Sequence, residues 1–212
     1  MPNAGIMASA VVVSAGVDVL MEPFNNYTFA PWTLNGTPTI VAARTGNGAQ
    51  ITGAIVYAQY AIAAGSQSTT ITIGFAHKRT DAITTTRDIA QFRSAPATNV
   101  EDSIRVNPTT NALIFANPGG TALGTSANNV VAQNVWAYIE AQVFMHATLG
   151  TAVVRVNGTE VINISGVNTK GSGGTAFSHL RLITPIASIT HQYDDLYINT
   201  GGGAFKGDIT VP

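Results

Sequence analysis

The sequence predicts an all-β protein, an antiparallel sandwich of two sheets, and three observations carry that expectation. Apolar and polar residues alternate with period two along much of the chain. Short polar turns bearing Gly, Asn or Pro separate the alternating runs. No segment shows a 3.6-residue apolar period with caps. The 212 residues are ample for one such domain with a sizeable core.

Residues 1–22 differ in character from the rest of the chain. Up to Met21 the only charged side chain is Asp18, and the centre is the apolar run Val11, Val12 and Val13. No Lys or Arg precedes that run, so it does not read as a secretory leader. It reads as an extended assembly arm or a first strand that docks on this chain or a neighbour, with residues 23–212 forming the sandwich domain. Within that domain Thr70 to His77 alternates strictly, setting Ile71, Ile73 and Phe75 on one face. Asp102–Val106 and Ala112–Ala116 flank the polar turn Asn107 to Asn111 and predict a hairpin. Trp136 to His146 is the longest run, with Ile139, Ala141, Val143 and Met145 facing one way and Tyr138, Glu140, Gln142 and Phe144 the other. Asn157-Gly158 joins two further runs, and this pair accepts the positive φ angles of a type I′ turn. Phe177–Ile183, Gln192–Asn199 and Asp208–Val211 complete the expected strands.

Composition narrows the function classes. Charged residues are only 10% of the chain and the net charge is −1, so the basic surplus that nucleic acid requires is missing. With no cysteine there is neither a disulfide framework nor a thiolate nucleophile. No apolar run approaches the ~18 residues of a membrane helix, so membrane insertion is not expected. Near-zero net charge promotes association, which favours an assembled homo-oligomer.

The second half carries an ordered set of motifs. Trp136-Ala137-Tyr138-Ile139-Glu140 resembles the opening of a long strand in laminin-G-like, concanavalin-A-like jelly rolls. Val154-Arg155-Val156-Asn157-Gly158 is similar to that family's hairpin, and Asp194-Asp195-Leu196-Tyr197 to a late strand before a short closing one. Phe24, Trp32 and Arg44-Thr45-Gly46 match the opening of such modules. The resemblance spans roughly residues 24–211 and looks like the version common in tailed-phage virion proteins. It implies a non-enzymatic virion structural protein on the particle exterior. A minor tail component is the first expectation, with other virion proteins as partners, trimeric assembly suiting a tail tip, and contact with host-surface carbohydrate. A capsid decoration protein and a carbohydrate-binding lectin module are the alternatives.

Candidate sites follow from residue type. Adjacent strand residues Asp194 and Asp195 should point to opposite faces, and the one turned inward or to the rim needs Arg181, a backbone amide or a cation. Ca²⁺ held by these two with loop carbonyls is the one metal reading, and no other cofactor is expected. Trp32, Tyr27 and Tyr60 are the candidate carbohydrate-binding rings. Glycoside hydrolysis needs paired carboxyl groups, but Glu140 is the only acid in its strand and no acid pair has catalytic spacing. The four histidines, His77, His146, His179 and His191, have no neighbour at ligand spacing. On these grounds no catalysis is expected.

Overall fold

The computed structural model describes residues 16–22, 24, 29, 31–80, 84–171, 173–184 and 189–209. Ile71, Ile73 and Phe75 point inward from one long strand, as their period-two spacing predicts, and are fully buried between two sheets. The first sheet runs β13 (Thr159–Val167), β12 (Gly150–Val156), β11 (Ala137–Phe144), β6 (Thr70–Arg79), β15 (Thr190–Thr200), β4 (Asn47–Thr52) and β3 (Thr39–Ala42). Strand β1 (Val17–Glu22) also pairs with β15 and makes this sheet eight-stranded. The facing seven-stranded sheet runs β10 (Ala122–Thr125), β9 (Ala112–Ala116), β8 (Asn99–Asn107), β7 (Arg87–Ser94), β14 (Phe177–Thr184), β5 (Val56–Ala61) and β2 (Thr33–Asn35). The expected two-sheet antiparallel sandwich is therefore the observed architecture.

Local chemistry explains the turns. Asn157 and Gly158 have φ of 49° and 79°, as a type I′ turn between β12 and β13 requires. Asn107 accepts hydrogen bonds from the backbone N–H groups of Thr109 and Thr110 at 3.0 and 3.2 Å, closing the β8–β9 hairpin. The core between the sheets is mostly apolar, with Phe75, Phe92, Phe115 and Phe177 among its largest fully buried side chains. Each contributes about 1.5–3 kcal/mol by leaving water.

Of the strand expected at Asp208–Val211, residues 208 and 209 are not in a strand and the rest lies outside the described residues. Residues 201–209 form no ladder and run across the outer face of the eight-stranded sheet. Positive φ at Gly201 and Gly202 (81° and 86°) turns the backbone out of the extended region as the segment begins. The segment is held by side chains instead. Thr72 Oγ1 and Gln142 Nε2 donate to the Gly203 carbonyl at 2.8 and 2.9 Å, and the Gly207 N–H donates to Glu140 Oε1 at 2.9 Å. Glu140 also accepts from Tyr197 Oη at 2.6 Å. This cover explains why Tyr138 and Glu140, on the outward side of β11, are 1% exposed.

Candidate functional site

The outer face of the seven-stranded sheet carries a row of polar side chains. Pairing sets Gln59 of β5 opposite Arg181 of β14, Arg181 opposite Gln91 of β7, and Gln91 opposite Ser103 of β8. One step along the strands, His179 of β14 pairs with Arg93 of β7. The alternate residues Ala58, Leu180, Leu182, Phe92 and Ile104 lie in the core, so the polar set faces outward. Tyr57 shares that face two residues before Gln59, and the Arg181 guanidinium lies 3.7 Å from its ring centroid.

The side chains fix one another. Arg181 donates from Nε and Nη2 to the single oxygen Gln59 Oε1, at 2.9 and 2.6 Å. Arg93 donates from Nη1 to Gln91 Oε1 at 2.6 Å and from Nε to the Ala97 carbonyl at 2.5 Å. Gln91 Nε2 in turn donates to Asp88 Oδ2 at 2.8 Å, which sets which way that amide faces. The charge of Asp88 is taken by Arg105, 2.9 Å away. Arg93 and Arg181 thus have neutral acceptors and, among the described residues, no acidic partner. Burial, reinforced by Arg181, lowers Arg93 to about 10, and burial also lowers Arg181. His179 is held below its ordinary value by burial first and then by the two arginines, so at neutral pH it is an uncharged imidazole. Arg181, His179 and Tyr57, partly exposed beside the nearly buried Arg93, make a face suited to a carboxylate ligand and to taking up a proton next to it.

The residues singled out from sequence lie elsewhere. Trp32 is 7% exposed and packs in the core against Phe24 and Tyr60. Tyr60 is partly buried and donates from its hydroxyl to the Val19 carbonyl at 2.9 Å. Tyr27 and the run Val11, Val12 and Val13 lie outside the described residues. The described end of the N-terminal segment is β1, which pairs antiparallel with β15 of the same chain through an irregularity between Asp18 and Leu20.

Asp194 and Asp195 do not point to opposite faces as strand alternation would require. A bulge between Asp194 and Tyr197 and a φ of +47° at Asp195 break the alternation, and both carboxylates converge on Thr45 Oγ1, at 3.2 and 2.9 Å. Arg44, rather than Arg181, supplies the cation, 3.0 Å from Asp195 and 2.6 Å from Asp208. Among the described residues no group of three or more His, Asp or Glu side chains could hold a metal ion. The histidines are not all isolated: pairing of β6 with β15 brings His77 Nε2 within 3.0 Å of His191 Nδ1, both fully buried in the interior.

This architecture defines the class, a concanavalin-like jelly-roll sandwich with a polar site on one outer face. No family model and no curated protein sequence matches the chain. Solved structures do match across nearly the whole chain. One is the endo-β-1,4-glucuronan lyase of the fungus Trichoderma reesei, with 12% identity, a TM-score of 0.62, and 89% of this chain and 100% of that chain covered. Another is an alginate lyase from a Chlorella virus, with 13% identity, a TM-score of 0.63, and coverage of 87% and 100%. A third is a carbohydrate esterase from the Shiga toxin-encoding bacteriophage phi24B, with 13% identity, a TM-score of 0.61, and coverage of 89% and 100%. At such identities the likeness establishes the fold.

These neighbours overturn the expectation of a non-enzymatic virion structural protein, because most are polysaccharide lyases. The physical reason is that hydrolysis and elimination call for different residues. Paired carboxylates are the requirement of glycoside hydrolysis. Elimination from a uronate needs cationic and amide groups for a carboxylate and a neutral base, and no acid pair. Each strand does carry a signal in retrospect, a polar pair at i and i+2: Tyr57 and Gln59, Gln91 and Arg93, His179 and Arg181.

Proposed function

We propose that the protein binds an acidic polysaccharide on the outer face of the seven-stranded sheet and cleaves it by β-elimination. The observation that carries this reading is the placement of Arg93 and Arg181, without acidic partners among the described residues, beside His179 and Tyr57. The glucuronan and alginate lyases among the structural neighbours support it.

In this reading Arg93 and Arg181 hold the uronate carboxylate and stabilise the negative charge that builds on it as the C5 proton leaves. Gln59 and Gln91 keep the two guanidinium groups in place through their amide oxygens. His179, uncharged at neutral pH, accepts the C5 proton. The electron pair left behind becomes the C4–C5 double bond, the C4–O bond breaks, and the Tyr57 hydroxyl protonates the departing oxygen. No water is consumed and no second carboxylate is needed. A phage origin, read from the motif resemblance, is supported by the likeness to the phage esterase.

The test is incubation of the purified protein with polyglucuronate and with alginate, following the ultraviolet absorbance of the unsaturated uronate end and the loss of chain length. Absorbance that rises with wild type and not with His179→Ala is the expected result. Binding without any unsaturated product would make the face a lectin surface, and neither binding nor product with either polymer would overturn the reading.

A further inference from the structure

We infer that Ser178 is a positioning residue that holds His179 in the Nδ1–H tautomer, leaving Nε2 as the basic nitrogen. The inference rests on the reading of His179 as the proton acceptor and deepens it.

Ser178 occupies an irregular position in β14. Pairing with β7 runs from Phe177–Ser94 directly to His179–Arg93, so Ser178 is the extra residue of a bulge. It is 1% exposed, and its hydroxyl lies 2.8 Å from Nδ1 of the neighbouring imidazole and 3.5 Å from the Arg93 carbonyl oxygen. The carbonyl only accepts, and the hydroxyl has one proton to give. One arrangement satisfies all three atoms: Nδ1–H donates to Oγ, and Oγ–H donates to the Arg93 carbonyl. The reverse bond, Oγ–H to Nδ1, withdraws the only hydroxyl proton from that carbonyl. Burial and the two arginines disfavour a second proton on the ring, so it carries one N–H, and the hydrogen bonds at Ser178 decide which nitrogen holds it. Nε2 has no hydrogen-bond partner among the described residues, and His179 is only half-buried. The bulge therefore has a chemical effect: it turns a hydroxyl that would otherwise follow strand alternation into the partner of its own neighbour's ring.

The test is ¹⁵N NMR of the ring nitrogens at neutral pH in the full chain, with the His179 signals assigned through His179→Gln. The expected result is a protonated Nδ1 and an unprotonated Nε2 in wild type, with Ser178→Ala moving the population toward Nε2–H. On polyuronate, Ser178→Ala should lower kcat by about tenfold with KM unchanged, and Ser178→Thr, which keeps a hydroxyl, should restore much of it. An Nε2–H ring in wild type, or a tautomer unmoved by Ser178→Ala, would overturn the inference. The wild-type spectrum decides even if Ser178→Ala does not fold. It is recorded without substrate, so absence of cleavage would remove the lyase reading and leave the tautomer result standing.

Discussion

Arg181 and Gln59 face each other across β14 and β5, with two guanidinium nitrogens bonded to one amide oxygen at 2.9 and 2.6 Å. The planar fork that makes this pair of hydrogen bonds is specific to arginine. Arg181→Lys keeps the charge and loses both the fork and the stacking on Tyr57. It should reduce kcat/KM on a polyuronate by about 10- to 100-fold, or ~1.4–2.7 kcal/mol, with little change in unfolding free energy. Steady-state kinetics alongside urea unfolding checks both halves.

Binding to the same face should weaken as salt rises, because two guanidinium groups without acidic partners among the described residues attract a polyanion through screened charge. Titration of a polyuronate at low and high ionic strength measures it. Arg93→Gln should flatten the salt dependence, and a neutral glucan should show none.

Stability should depend on pH through a buried acid. Asp102 pairs with Phe92 on the core side of the seven-stranded sheet, and its carboxyl has no partner among the described residues. Burial, and secondarily Glu101, raises it to about 9. The unfolded chain gives up this proton near pH 4, whereas the folded chain keeps it to about 9, so the group subtracts stability progressively as pH rises across that interval. Asp102→Asn should be more stable than wild type at pH 8, and the gap should close toward pH 4. Thermal unfolding across that range follows it.

On the acid side the sign reverses. Burial lowers His77, as does the neighbouring His191, and burial lowers His191 to about 3. Both remain neutral when folded, while the unfolded chain protonates them below about 6.5, so their contribution is intact above that pH and declines as pH falls toward 3. His77→Gln should shift the acid unfolding midpoint downward, read by circular dichroism.

Removing Arg44 should loosen the end of the chain. Its guanidinium holds fully buried Asp195, Asp208 and the Ile209 carbonyl, so Arg44→Ala leaves the Asp195 carboxylate without this cation and removes two ties on the terminal segment. A cost of about 2–4 kcal/mol in denaturant unfolding is expected, with faster hydrogen exchange at residues 203–209.

The sandwich was legible from the strands that write their own evidence. Ile71, Ile73 and Phe75 alternate visibly, and Asn157-Gly158 names its own turn. The face that carries the candidate site was not, because it exists only through pairing. Gln59, Gln91 and Arg181 lie in three distant segments, and nothing local reveals that β14 sits between β5 and β7. Bulges erased other cues. Asp194 and Asp195 converge and Ser178 turns toward His179 because the backbone leaves the regular pleat at those places. The rings of Trp32 and Tyr60 are large enough to suggest a sugar platform, but their size serves the interior.

Residues 201–209, laid over the eight-stranded sheet, give the molecule a front and a back. On the back, the hydroxyl and amide groups of Thr72 and Gln142 are already occupied by the chain's own backbone. On the proposed reading a long polymer is therefore met frontally. If the protein is fixed to a particle or a matrix, its orientation, as much as its amount, determines how much of it can work.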